Sequence, residues 1–432
     1  MGKVKKELTV EDFYFLKIGN MWRYFKKEHF SFWMICGYLI IEYGRPQMIY
    51  PPLDFLPWGK VFLIGSLIGA ILDPSVRWVS SPINKAISLF AIAIFIASYL
   101  AYRPDISWEK YFSFYGWFVI YFLILNIINN RERFYIFVVL FLVLSGKIAI
   151  GTSLIWASRG FTFAGWGLTG PPGNFQNSGE LAILMLTLFP VSYYLLAALY
   201  KRVTLWERLV LVAVTVAPIM TVIGASSRGA QLALLVQLIV MFYKSLFKFK
   251  RLIGLILASY LLFSLLPEEQ MKRFESSGDD QTSVQRLLYW KHGIEMIREY
   301  PYFGVGFYNF VPYYNDYFIQ DALNGRAQLP HNILIQVGTD AGIIGLVLFS
   351  FLLLYPFYIF YKFNKCMDCS KITKVVLRGF IIGNLGFIVA GQFVTVAYYP
   401  FLWIGLSFIV SGVSIEKKCC MYKKCEAVSS VV

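Results

Sequence analysis

Residues 134–155 read FYIFVVLFLVLSGKIAIGTSLI, an apolar run with a single charge at Lys147. A helix needs ~20 mostly apolar residues to cross the hydrocarbon core of a bilayer, and this run suffices. It is not alone. Apolar runs between charged or Pro/Gly breaks also fall near 28–44, 57–73, 83–102, 111–128, 179–200, 206–225, 228–247, 251–267, 333–361, 375–395 and 398–414. The reading is an all-α polytopic membrane protein with about 12 transmembrane helices, the second and the last being short. Composition agrees. The 432 residues are 58% hydrophobic and only 15% charged, whereas a soluble domain is usually ~45–50% apolar and ~25% charged. A soluble enzyme, a disordered chain and a disulfide-stapled secreted domain are excluded.

The net charge is +15. In a soluble protein that excess would suggest a nucleic-acid partner; here it follows membrane topology, and no nucleic acid is expected. Cytoplasmic loops carry an excess of Lys and Arg. With both termini inside, the predicted cytoplasmic segments hold 27 of the 40 basic residues, at least two in each. The expected organisation is a cytoplasmic segment 1–27, transmembrane helices 1–9 over 28–267, an outer loop domain 268–332, transmembrane helices 10–12 over 333–414, and a cytoplasmic tail 415–432. The polar, basic first 28 or so residues suggest no signal peptide. Two outer segments are long: 156–178, rich in Gly and aromatics, and 268–332, the only large polar stretch, with a helix-like pattern around 283–299.

Six cysteines are present. Cys36 lies in the first apolar run. Cys366 and Cys369 form a CxxC in one predicted cytoplasmic loop, and Cys419, Cys420 and Cys425 cluster in the tail, on the side where thiols stay reduced. Free thiols are the plain reading; a shared zinc site or palmitoylation are the others.

A charge at hydrocarbon level is costly and signals function by default. Arg228, in GASSRGAQ, sits at a tight outer corner among Ser226, Ser227 and Gly229. A following helix N-terminus favours anions, and a guanidinium grips phosphate bidentately; the alternative is an arginine that snorkels to headgroups. Arg286, in SVQRLLYWKHG, shares a helical face with Trp290 rather than Lys291; it is either functional or a solvated loop residue. His331, where the polar loop meets an apolar run, is either a general base or a cap at the headgroups; Asn332 follows it. His29 reads as interfacial and His292 as a loop residue. Lys147 could pair with a carboxylate such as Glu180, line a cavity or snorkel outward. Walker A, HExxH and GxSxG motifs are absent. The Asp279–Asp280 pair is weak grounds for a metal site, so neither metal nor cofactor is expected.

Three elements occur together: SSRGA at the corner, the R…W helix, and PYFGVGFYNF…PHNILIQVGTDAGIIGL leading into the next span. Together with GPPGNFQNSGELA they resemble the bacterial O-antigen ligase and O-antigen polymerase superfamily of membrane glycosyltransferases, over roughly 170–360. The resemblance implies a GT-C-like helix bundle in the bacterial inner membrane with a periplasmic active site. It implies a donor glycan on undecaprenyl pyrophosphate, and an acceptor that is lipid A-core or a second lipid-linked repeat. Membrane lipids are the remaining partner. It matches Arg228 and Arg286 to pyrophosphate binding and His331 to activation of the acceptor hydroxyl, without metal. A transporter or flippase of lipid-linked glycan is the alternative from another class; it would show polar sites near mid-bilayer in matched halves, and no such symmetry is visible.

Overall fold

The computed structural model describes residues 8–14, 17–162, 167–246, 281–323, 325–365 and 369–429. The predicted span 251–267, the Asp279–Asp280 pair and Cys366 lie outside the described residues, as do the side chains of Cys420 and Cys425. Helix is the regular structure of the described residues, among which there is no strand. A short helix α1 (Ile18–Phe25) precedes α2 (Phe30–Leu39), which continues as a π-turn to Gly44. Then come α3 (Trp58–Leu72), α4 (Pro82–Tyr99), α5 (Pro104–Ile127), α6 (Arg131–Ser158), α7 (Ser178–Leu199), α8 (Leu205–Gly224) and α9 (Arg228–Leu246). After these follow α10 (Gln281–Glu299), α11 (Phe310–Tyr317), α12 (Ile333–Asn364), α13 (Lys371–Ala390) and α14 (Pro400–Ser429).

Among the described residues eight helices are long and apolar enough to cross a membrane: α4 to α8 and α12 to α14. Three shorter apolar helices cover Phe30–Gly44, Trp58–Leu72 and Arg228–Tyr243. The apolar side chains follow one logic. One continuous core fills the bundle, whereas Ile71, Leu154, Val347 and Leu354 stand exposed on its outside, as suits a lipid-facing surface. The last apolar segment, short in sequence, belongs to the 30-residue helix α14. Its C-terminal half is polar, so hydropathy stops where the helix does not.

One end of the bundle is closed by ion pairs. Arg133, almost fully buried, lies 2.6 Å from Glu28 and 3.3 Å from Asp73. Arg131 lies 2.6 Å from Glu416, which also accepts from the Ser370 amide and the Thr373 hydroxyl. Here His29 caps α2 through the Ser31 amide and lies 3.6 Å from Asp73. Burying such charges costs several kcal/mol per ion unless they are paired and hydrogen-bonded, and these are both.

The opposite end carries the long connections. A second, smaller core of Tyr289, Met296, Phe310, Tyr313, Tyr314 and Ala322 ties α10 and α11 together there. The apolar run 333–361 lies within the long helix α12, which is broken near its start. Gly342 has φ 63° and ψ −161°, a conformation essentially reserved for glycine. The turn PYFGV at 301–305 fills the break: the Val305 amide donates to the Thr339 carbonyl at 2.8 Å, and the Ile343 amide donates to the Pro301 carbonyl at 2.7 Å. Backbone groups that lose their helical partners must find others when buried. The chain supplies them from a segment roughly forty positions earlier, and so docks the loop region onto the bundle.

A Cβ at 342 would lie 2.4 Å from the Tyr302 backbone carbon. Gly342→Ala should therefore destabilise the protein by about 1–3 kcal/mol from conformation alone, more with the clash. Thermal unfolding in detergent should drop clearly for Gly342→Ala and little for Gly116→Ala, which has open space; equal midpoints would contradict the docking role.

Candidate functional site

The corner between α8 and α9 is three residues long, 225–227. Ala225 caps α8 through Thr221, and Ser226 turns the chain with φ 57°. The Ser227 carbonyl accepts the Gln231 amide at 2.9 Å, which makes Arg228 the first residue of α9. Gly229 has no room for a side chain: a Cβ would lie 2.6 Å from Phe393. The corner is thereby pressed against the segment 391–399, between α13 and α14.

The same segment holds the other candidates. The His331 amide donates to the Thr395 hydroxyl at 2.8 Å, and the Ile333 amide donates to the Gly391 carbonyl at 2.8 Å. The Asn332 side chain caps α12, accepting from the Leu334 amide at 2.8 Å and the Ile335 amide at 3.1 Å, and donates to Gln392 Oε1 at 3.2 Å. The Ala397 amide donates to Gln336 Oε1 at 3.2 Å. His331 itself takes φ 51°, an uncommon left-handed conformation for a residue with a side chain.

Helix α10 completes the arrangement. Ser283, Arg286 and Trp290 share one face of it. Arg228 Nη2 donates to Ser283 Oγ at 3.5 Å, a long bond, and Trp290 Nε1 donates to the Pro330 carbonyl at 3.0 Å, just ahead of His331. Burial, and then the nearby Arg286 guanidinium, pull the His331 imidazole down to about 4. Three residues from separate stretches, Arg228, Arg286 and His331, are thus brought around the first turns of α10. Two guanidinium groups thus stand near an imidazole whose proton affinity is lowered. Such a site can hold a diphosphate and accept a proton beside it.

The remaining sequence candidates are placed differently. Glu180 is buried at the start of α7, where Asn177 Nδ2 donates to it at 3.0 Å and Tyr399 lies beside it. Lys147 is exposed on α6. Among the described residues no ion pair joins the two, so the suggested Lys147–Glu180 partnership is replaced by local capping. His292, expected in a loop, is buried within α10. Three groups escaped the sequence reading: Thr395 with its segment, Ser283, and Asp340, which accepts the Tyr308 amide at 3.1 Å. Asp340 sits inside the quoted TDAG string, whose acidic residue could have flagged it.

A lateral groove of about 380 Å³ runs between α4 and α5, lined by Ile87, Ala91, Phe95, Tyr111, Tyr115 and Phe122. The chain between these two helices meets the docked turn: the Tyr102 amide donates to the Val305 carbonyl at 2.9 Å, and the Arg103 amide to Asn309 Oδ1 at 2.6 Å.

No curated protein matches the chain. The family model described as O-antigen ligase matches residues 212–350, a stretch that takes in the corner, α10, the docked turn and the broken start of α12. Through that match, which contains Arg228, Arg286 and His331, the chain is similar to the O-antigen ligase/polymerase superfamily over about a third of its length.

Proposed function

We propose that the protein is an inner-membrane glycosyltransferase that moves a glycan from undecaprenyl pyrophosphate to an acceptor hydroxyl, that of lipid A-core, at the periplasmic face. The observation that carries this reading is the convergence on α10: Arg228 reaches Ser283, Arg286 lies one turn on, and the Arg286 charge acts on His331. The family match supports a lipid-linked glycan as the substrate class.

The chemistry follows from the residues. The acceptor oxygen attacks the anomeric carbon from the face opposite the diphosphate, the glycosidic C–O bond to the diphosphate breaks, and the configuration inverts. Negative charge grows on the departing diphosphate. Arg228 and Arg286 are the groups to stabilise it, and donors of this kind are typically worth about 10²–10³ in rate each. His331 Nδ1 or Nε2 takes the acceptor proton, a role worth about 10²–10⁴. A base that binds its proton only near pH 4 is weak, and the donor corrects this in part. Burial is the larger cause and persists, but the donor's phosphates beside Arg286 offset the repulsion from that guanidinium, so His331 gains basicity when the substrate is in place. Thr395, Asn332 and Trp290 fix the backbone on either side of the imidazole. The groove between α4 and α5 suits an isoprenoid tail, being apolar, aromatic and open to lipid. Ser226 and Ser227 are small and hydroxylated, which suits phosphate oxygens at the corner, whereas Gly229 serves to let Phe393 pack close.

Purified protein given a lipid-linked donor and lipid A-core should transfer the glycan. Arg228→Ala, Arg286→Ala and His331→Ala should each lower turnover by at least about 10²-fold while the protein stays folded in the membrane. Full activity in all three would reject the assignment. Arg228→Lys should fail as well, because a point charge does not reproduce the planar two-pronged contact; wild-type turnover in that variant would remove the bidentate role. Growth of the glycan on its own lipid without lipid A-core would instead indicate a polymerase.

The pH profile gives a separate test. The neutral imidazole is the working form, so kcat/KM should hold at and above neutral pH and fall only as pH drops toward about 4. The acid limb of kcat, which reports the donor complex, should lie at higher pH. Coincident limbs would contradict the substrate-induced rise. Turnover should be unchanged by chelator, and a loss restored by a divalent ion would overturn the metal-independent mechanism.

A further inference from the structure

Helix α10 shows a second face, next to the one that carries Arg286. Gln285, Tyr289, His292 and Met296 are all buried along it. This face is bound to the segment 318–330, which ends one residue before His331. The Gln285 side chain donates to the Asp321 carbonyl at 3.1 Å and accepts the Leu323 amide at 2.5 Å. The Tyr289 hydroxyl accepts the Gln328 amide at 2.9 Å. One turn beyond Tyr289 stands His292, with Nδ1 2.8 Å from Glu295 Oε2 and Nε2 2.7 Å from Asp321 Oδ2. Its ring stacks on Phe318 at 4.1 Å and meets the edge of Tyr314 at 5.4 Å. Both nitrogens face carboxylate oxygens: Glu295 lies on α10 itself and Asp321 on the segment, so the Nε2 contact is the one that crosses between them.

We propose that His292 is a positioning residue for the transfer reaction: held on α10 by Glu295, it straps Asp321 and with it the segment 318–330 to the helix, and so helps set where His331 stands relative to Arg286. This rests on the glycosyltransfer reading above and extends it. The geometry gives the reason. Arg286 is fixed on α10, whereas His331 hangs at the end of the strapped segment. Two anchors hold that end: Trp290 on the Pro330 carbonyl and Thr395 on the His331 amide. If the strap loosens, the segment ahead of His331 gains freedom and only those two anchors set the base, while the diphosphate contacts on α10 stay in place. Donor binding should then survive and the proton transfer should suffer.

The test uses the full-length protein in lipid nanodiscs, as wild type, His292→Ala, Asp321→Asn and the double variant. Amide hydrogen exchange is followed over 318–331 together with steady-state kinetics on a lipid-linked donor. In His292→Ala the amides of Leu323, Gln328 and His331 should exchange at least tenfold faster, with the spans unchanged. The kcat should fall tenfold or more while the donor KM stays within about twofold. The double variant should be no worse than the worse single variant, since both remove the same link. Unchanged exchange over 318–331 in His292→Ala overturns the strap. So does a KM that rises together with the fall in kcat, or a double variant in which the two losses multiply. If the wild type transfers nothing from the polyprenyl donor, the enzymatic reading falls, and the exchange arm still decides whether His292 holds the segment.

Discussion

The architecture depends on the repair of a broken helix. Where α12 parts at Gly342, the Thr339 carbonyl and the Ile343 amide lose their helical partners, and the turn 301–305 takes up both. In an apolar setting such backbone groups cannot be left alone, since each unsatisfied one costs several kcal/mol. The requirement converts a local defect into a long-range joint. It seats the turn on the bundle, and with it α11 and the C-terminal end of α10. The buried Asp340, at the last helical turn before the break, reinforces the joint through the Tyr308 amide. With it the residues gathered around α10 gain a second, backbone-to-backbone attachment to the spans beside their side-chain contacts.

Arginine serves opposite ends of the molecule under one rule. At the ion-paired end Arg131 and Arg133 are met by Glu416, Glu28 and Asp73, and the pairs fasten helices whose termini would otherwise splay. At the loop end Arg228 touches a serine hydroxyl, and the Arg286 charge is felt by an imidazole. A guanidinium beside a histidine depresses its proton affinity, and an arriving anion relieves the depression.

Much of the fold was legible because the bilayer allows few solutions. Long apolar runs must be helices, and eleven of the twelve predicted runs have a helix among the described residues; the twelfth, 251–267, lies outside them. Hydropathy misjudged two of them for the same reason: it reads polarity and not backbone. It missed the break at Gly342, where the residues on both sides are apolar, and it stopped α14 early because the helix outlasts its apolar part. The corner arginine and the histidine stood out in sequence as costly residues at span ends. The segment 391–399 did not. Its Thr395 and Gln392 act through single hydrogen bonds to positions some sixty residues away, and no local pattern announces such a partner. His292 was likewise read as a loop residue because its carboxylate partner Asp321 lies 29 positions on. The basic residues counted toward topology included Arg131 and Arg133, whose structural duty becomes visible only when Glu28 and Glu416 are brought to them.

The central claim is that two guanidinium groups and one imidazole form a single diphosphate-handling site. The most direct test is an experimental density map of the protein in lipid with a polyprenyl diphosphate glycan bound. The account predicts the diphosphate within hydrogen-bond reach of both Arg228 and Arg286, with the His331 ring facing the anomeric carbon from the side opposite the leaving oxygen. A diphosphate bound away from α10, or either arginine turned into the hydrocarbon, would contradict it.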